Sequence, residues 1–187
     1  MGIEFELKFR ATPDTLASLQ KRIPGSQQVY AMETTYYDTP TGALSARYYT
    51  LRRRMENDTS VCTLKTPASG EGRNEFEVEC HSIEAAIPML CELSGEDIPL
   101  PVVPVCGAKF TRIAKTLELN QCTVEIALDQ GILMGGGKEI PLCEVEVELK
   151  DGSPDAARAY AVQLALAFGM EPETKSKFRR AKDLCDK

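Results

Sequence analysis

Apolar and charged positions alternate from the first residues of the chain. Between Gly2 and Arg10, Phe5, Leu7 and Phe9 fall on one parity and Glu4, Glu6 and Lys8 on the other. A period of two predicts a strand. Thr12-Pro13-Asp14 then supplies an N-cap, a proline for the first turn and an early acid. Leu16, Leu19 and Ile23 recur at helical spacing, so a helix is predicted over roughly 13–23, ended by Pro24-Gly25. Residues 28–38, rich in Tyr, Thr and Val, predict a strand, and Asp38-Thr39-Pro40-Thr41-Gly42 a turn. Segments 46–55 and 60–66 predict a hairpin, and 73–80 a further strand. Ser82 caps a helix expected over 83–93, with Pro88 inside it as a candidate kink.

Residues 94–108 hold Pro99, Pro101, Pro104 and Gly107 and are expected to connect two half-sheets. Strands at about 109–118 and 121–129 follow, then a glycine turn at 135–137 and a long strand at 139–150. Ser153-Pro154-Asp155 opens a helix that runs to Phe168 with Gly169 as its C-cap. A short helix over 175–184 closes the chain.

Parity sorts the charges. Arg52 and Arg54 share a face, as do Thr63 and Lys65. So do Arg73, Glu75, Glu77 and Glu79, then Glu125 and Asp129, then Glu144, Glu146 and Glu148. A solvated outer face explains one such strand, but it mixes signs, because like neighbours repel. Here acids stand together in some strands and bases in another. A sheet of this many strands tends to curl or close. Closed with the charged face inward, it makes a tunnel whose charges must be paired or coordinated. Carboxylate clusters select hard cations, Mg2+ or Mn2+. Arginine and lysine clamp phosphate oxygens. A polyphosphate with divalent metal satisfies both demands.

Composition narrows the reading. The chain has 187 residues, 22 bases and 28 acids, a net charge of −6. An acidic chain is a poor general binder of nucleic acid, so no nucleic-acid partner is expected. No run of 18 apolar residues occurs, and the N-terminus has neither a basic nor an apolar signal region. No membrane partner is therefore expected. The seven cysteines show no CxxC, and the single histidine, His81, supplies zinc poorly. The cysteines are expected to be buried thiols of a cytoplasmic protein.

Glu4-x-Glu6-x-Lys8 resembles the ExExK signature of the CYTH superfamily, the triphosphate tunnel metalloenzymes. The resemblance continues through Tyr36-Tyr37-Asp38-Thr39-Pro40, Leu51-Arg52-Arg53-Arg54, Thr63-Leu64-Lys65, Arg73-x-Glu75-x-Glu77, Val124 to Asp129, Cys143 to Leu149 and Lys175-Ser176-Lys177. It is nearest the inorganic triphosphatase branch, many of whose members carry a C-terminal CHAD domain; here a single CYTH domain over 1–187 is expected. The resemblance implies an α+β fold, a closed eight-stranded antiparallel barrel with helices packed outside. It implies metal-dependent hydrolysis of triphosphates, inorganic tripolyphosphate first, and admits a homodimer.

By the same resemblance, Glu4, Glu6, Glu144, Glu146, Glu148 and Asp129 would hold Mg2+ or Mn2+. Lys8, Arg52, Arg54, Lys65, Arg73, Arg112, Lys175 and Lys177 would bind the triphosphate, with Glu75, Glu77 and Glu125 as supporting acids. Catalysis would rest on Glu4, Glu6, Lys8, Lys65, Glu144 and Glu146. Two features depart from the pattern. Arg53 stands where an apolar outward residue is usual, and Ala114 follows Arg112 where a second base is expected. Alternatives are an adenylate cyclase or thiamine triphosphatase of the same family, a non-catalytic polyphosphate or nucleotide-binding module, and a purely structural barrel. The absence of tryptophan and the 6% of aromatic residues favour a substrate with no organic part.

Overall fold

The structure is a computed structural model that describes residues 2–185. The chain runs β1 (Gly2–Glu4), β2 (Glu6–Arg10), α1 (Pro13–Arg22), β3 (Gln27–Asp38), α2 (Ala43–Ala46), β4 (Thr50–Glu56), β5 (Thr59–Pro67) and β6 (Arg73–Glu79). It continues through α3 (Ile83–Ser94), β7 (Val103–Glu118), β8 (Cys122–Gly135), β9 (Lys138–Gly152), α4 (Pro154–Phe168), β10 (Glu171–Pro172) and α5 (Lys177–Lys182).

The expected closed eight-stranded barrel does not form. One antiparallel sheet of ten strands has the order β1-β6-β5-β4-β3-β7-β8-β9-β2-β10, with no ladder joining its two edges among the described residues. The reason lies at Phe5. The segment 2–10 reads as one strand, but it breaks there: Gly2–Glu4 pairs with β6 and Glu6–Arg10 with β9. Phe5 turns into the apolar core, and its carbonyl accepts from Leu149 N at 2.9 Å. The two halves of one segment thus serve opposite regions of the sheet, which curls so that its charged face surrounds a cavity.

The connector expected at 94–108 is shorter, because β7 already begins at Val103. Pro104 enters the strand beside a register shift at Tyr36/Tyr37, where a missing N–H donor is tolerated. Gly107 is required: a Cβ there would lie 2.9 Å from the Thr34 carbonyl. Helix α3 continues through Pro88, whose side is exposed.

Apolar faces turn outward and are covered. Helices α1 and α4 pack on β2, β8 and β9 through Leu16, Leu19, Val124, Ile126, Val145 and Val147. Burial of a side chain such as Leu19, fully removed from solvent, stabilises by roughly 1.5–3 kcal/mol. Helix α3 covers Leu51, Leu64, Phe76 and Val78 with Ile83, Ile87 and Leu90. Lys115, on the same outward face as Ile113, is buried; its Nζ donates to the Gln20 and Ile23 carbonyls at 2.8 and 2.6 Å and caps the end of α1. Arg53 also faces out and donates to Ser60 Oγ at 2.9 Å, which explains a base at that position.

Helix α5 is different. It enters the curled sheet, where Ala181 packs with Met32, Phe110 and Leu133. Asp38 anchors it. That carboxylate accepts from Leu44 N, Ser45 N and Ser45 Oγ, and from Lys182 Nζ at 3.3 Å. The turn motif at 38–42 is therefore a docking point for the C-terminal helix.

Candidate active site

The inward face surrounds a cavity of about 300 Å³. Sixteen of the 22 lining residues are charged, eight Glu and eight Lys or Arg. A cavity so poor in apolar surface is built for an ionic ligand.

Register explains the arrangement. Across β2, β9 and β8, Glu6 stands opposite Glu148 and Glu148 opposite Glu125, a row of three carboxylates. Like charges directly opposed destabilise a sheet unless a cation compensates them. Lys150 supplies part of that cation, 2.9 Å from Glu148 and 3.7 Å from Glu125. Burial raises the Glu148 carboxyl despite Lys150, and Glu4 and Glu125 add to the rise. The next row pairs Lys8 with Glu146, and the one after it joins Glu144, Asp129 and Arg112.

Asp129, Glu144 and Glu146 form the deepest group. They are buried, and one oxygen of each lies within 4.8 Å of the others. Protein cations already fill the space between them. Lys177 Nζ contacts Asp129 and Glu146 at 2.7 Å each and also bonds Glu144. Arg112 reaches Asp129 through two nitrogens, at 2.8 and 2.7 Å, and Glu146 at 2.5 Å. Arg180 binds Glu144. Burial opposes ionisation here, but Lys177 and Arg112 outweigh it and hold Glu146 well below the usual carboxylate range. Arg112 and Lys177 lower Asp129 likewise. Glu144 is the exception: burial, which Lys177 and Arg180 do not outweigh, raises it.

The opposite wall is less satisfied. Lys65 binds Glu4 at 2.5 Å and Glu75 at 3.1 Å, and Lys8 binds Glu6 at 2.8 Å. Arg52 has only long contacts, 3.5 Å to Glu75 and 3.6 Å to Glu77. Its buried Nε has no hydrogen-bond partner. Arg54 donates Nε to Thr34 Oγ1 at 3.1 Å, and Glu56, its one carboxylate contact among the described residues, is 3.7 Å away. Burial lowers Arg54, and the charges of Arg52 and Arg112 lower it further. These two guanidiniums have donor capacity left for an anion. Arg73 is more committed: three of its five N–H donors go to Thr50 Oγ1, the Tyr48 carbonyl and the Lys65 carbonyl at 3.1, 2.6 and 3.0 Å.

Of the residues singled out in the sequence, Glu4, Glu6, Lys8, Arg52, Arg54, Lys65, Arg73, Glu75, Glu77, Arg112, Glu125, Glu146, Glu148 and Lys177 line the cavity. Asp129 and Glu144 lie behind its wall, under Lys177. Lys175 is elsewhere, its side chain 58% exposed and paired with Asp183 at 2.8 Å. Three charged participants were not singled out. Lys150 continues the parity of Glu144, Glu146 and Glu148, and Glu56 that of Arg52 and Arg54; either could have been found that way. Arg180 lies one helical turn beyond Lys177. His81, exposed between β6 and α3, is outside the cavity.

The donor chemistry fits a divalent cation. Glu4, Glu6, Glu148 and Glu125 present hard carboxylate oxygens around the cavity, with Lys150, Lys8 and Lys65 their nearest cations. The Asp129–Glu144–Glu146 group fits one less well, because Lys177 occupies it.

Among the described residues, no helix is long and apolar enough to cross a membrane. The family profile described as CYTH domain matches residues 2–181. An inorganic triphosphatase of Haemophilus influenzae is 31% identical over 163 residues, covering 80% of this chain and 46% of that protein. The chain thus spans about half the length of this curated relative. Two solved structures share the fold. A proposed adenylyl cyclase from Hippeastrum, described as having a dominant triphosphatase activity, superposes with a TM-score of 0.70 at 18% identity, covering 98% of this chain and 96% of that one. A proposed adenylate cyclase from Bacillus halodurans gives 0.69 at 19% identity, covering 95% and 96%.

Proposed function

The chain belongs to the CYTH domain family, and from that premise we propose that it hydrolyses triphosphates with the help of a divalent metal, inorganic tripolyphosphate being the leading substrate. One observation carries the proposal: eight cations and eight carboxylates share a cavity of about 300 Å³, and on one wall the cations are under-paired. The name of the Haemophilus relative points the same way.

In this reading Arg52 and Arg54 seat the phosphate chain, the Arg52 Nε gaining the acceptor it lacks. Lys8 and Lys65 swing from Glu6 and Glu4 toward the phosphates and help carry charge on the leaving diphosphate. Arg73 and Arg112 act mainly as positioning residues, since each already makes three hydrogen bonds to protein acceptors. Glu4, Glu6 and Glu148 would hold Mg2+ or Mn2+, with Glu125, Glu75 and Glu77 orienting the neighbouring bases and Glu146 committed to Lys177 and Arg112. When bound, such an ion supplies Lewis acidity and a water of lowered pKa. No serine, cysteine or histidine nucleophile is needed. A polyphosphate-binding module would use the same bases, but it has no use for the row Glu6–Glu148–Glu125, and that row favours the enzyme.

Phosphate release from tripolyphosphate, ATP and thiamine triphosphate tests the proposal, with Mg2+, Mn2+ or EDTA. Turnover on tripolyphosphate that EDTA abolishes is expected. Turnover that survives EDTA, or none on any triphosphate, overturns it.

A further inference from the structure

Two thiols meet where the end of the chain packs against β7. Cys185 Sγ lies 3.4 Å from the carbonyl of Val105, the residue before Cys106. Cys106 Sγ in turn lies 3.9 Å from the carbonyl of Phe178 on α5. Across the sheet, Cys106 stands opposite Gly135 on β8. Residues so paired carry their Cβ positions about 4.5–5.5 Å apart. A Cβ at Gly135 would sit 3.1 Å from Cys185 Sγ. The contacts place Cys185 Sγ beside the Cys106–Gly135 pair and Cys106 Sγ against α5, so the two cysteines are neighbours, and the glycine at 135 leaves room between them. The expectation that every cysteine is buried fails here, because Cys185 is exposed while Cys106 is partly covered.

We propose that Cys106 and Cys185 form a reversible disulfide that ties the C-terminal end of the chain to β7. The oxidant is a low-molecular-weight disulfide such as oxidised glutathione. Burial, with Cys185 close by, pushes the Cys106 thiol up to about 12, so the exposed Cys185 meets the oxidant first. Its thiolate attacks one sulfur of the oxidant, forms a mixed disulfide and expels one small thiolate. Cys106 then loses its proton and attacks the Cys185 sulfur, and the second small thiolate leaves. The two protein thiols give up two electrons and two protons; the small disulfide becomes two thiols.

The bond would act on the active-site end of the fold. Helix α5 carries Lys177 and Arg180 into the carboxylate group and Lys182 onto Asp38. A bridge just beyond it fixes the helix in that position. This holds whether or not the proposed reaction is right, because the bond is read by mass.

The experiment incubates the whole chain with oxidised glutathione at neutral pH, then maps its peptides after alkylation of the remaining thiols. The expected product has lost two hydrogens, contains a Cys106–Cys185 cross-linked peptide and reverts with dithiothreitol. Closing a loop of roughly 80 residues should raise Tm by roughly 5–10 °C. Cys185→Ser, a change at an exposed position, should fold with an unaltered Tm when reduced and show neither effect on oxidation. Cys106→Ser should stop at a stable glutathione adduct on Cys185. A wild-type chain that stops at that adduct, or that bridges another pair such as Cys62 and Cys80, overturns the assignment. A bond that forms without raising Tm overturns its role as a tether.

Discussion

Two parts of one charged face hold the same kinds of group in opposite states. Around Lys177, three carboxylates and three cations are packed at contact distances, and the carboxylates of Asp129 and Glu144 are wholly buried. Around Arg52 and Arg54, contacts to carboxylates stretch to 3.5–3.7 Å; a buried Nε without a partner occurs in both regions, on Arg52 here and on Arg180 there, so the contact lengths carry the difference. In the first region the protein neutralises itself. In the second it leaves charge for something else to neutralise. Residue type alone does not distinguish the two; what differs is whether the counter-charge is covalently part of the chain.

The comparison breaks most sharply at Lys177. Lys177→Met leaves buried carboxylates without their shared cation, and such a loss costs about 3–5 kcal/mol. Urea unfolding should show it directly, and an unchanged midpoint would mean that Arg112 and Arg180 suffice. On the open side the effect should fall on rate instead. Arg52→Ala is expected to lower tripolyphosphate turnover by about 10²-fold, with stability changed by less than about 1 kcal/mol, measured by phosphate release beside thermal unfolding. A loss of stability as large as that of Lys177→Met would erase the distinction.

Acid sharpens the contrast. Asp129 and Glu146 have lowered folded-state pKa values, so their contribution is present above the unfolded value of about 4 and is lost as pH falls through the folded values. Glu144, raised, runs the other way: its contribution is present below about pH 4 and is lost as pH rises through its folded value. Asp38 and Glu173 are lowered as well, and Glu148 is raised; four lowered groups against two raised predict stability that is nearly flat from pH 6 to 8 and falls below about pH 4, by urea unfolding over a pH series. The smallest change expected is at Lys175. Its exposed pair with Asp183 should be worth about 0.5 kcal/mol or less, so Lys175→Ala should leave both Tm and turnover near those of the unaltered chain.

Much of this arrangement follows from the local pattern of the chain. Alternation in 2–10, 73–79 and 144–149 fixed which side chains share a face, and the caps at Thr12, Ser82 and Ser153 marked three helices that form there. Lys150 was within reach of the same parity argument. Other features depended on distant residues. Phe5 ends a pairing that the local pattern would continue, because the core beneath it and the carbonyl bond to Leu149 are remote in sequence. Pro104 and Gly107 look like loop residues until a bulge and a close approach to Thr34 make them strand residues.

The sequence by itself determined the sorting: acids and bases on one face, apolar residues on the other, because side chains alternate across a strand whatever it pairs with. Only the tertiary structure decided which of those charges satisfy one another. That outcome turns on α5, which brings Lys177 onto carboxylates more than thirty positions earlier in the chain. Coulombic pairing depends on distance and desolvation, and both are set by packing between segments that no local pattern relates.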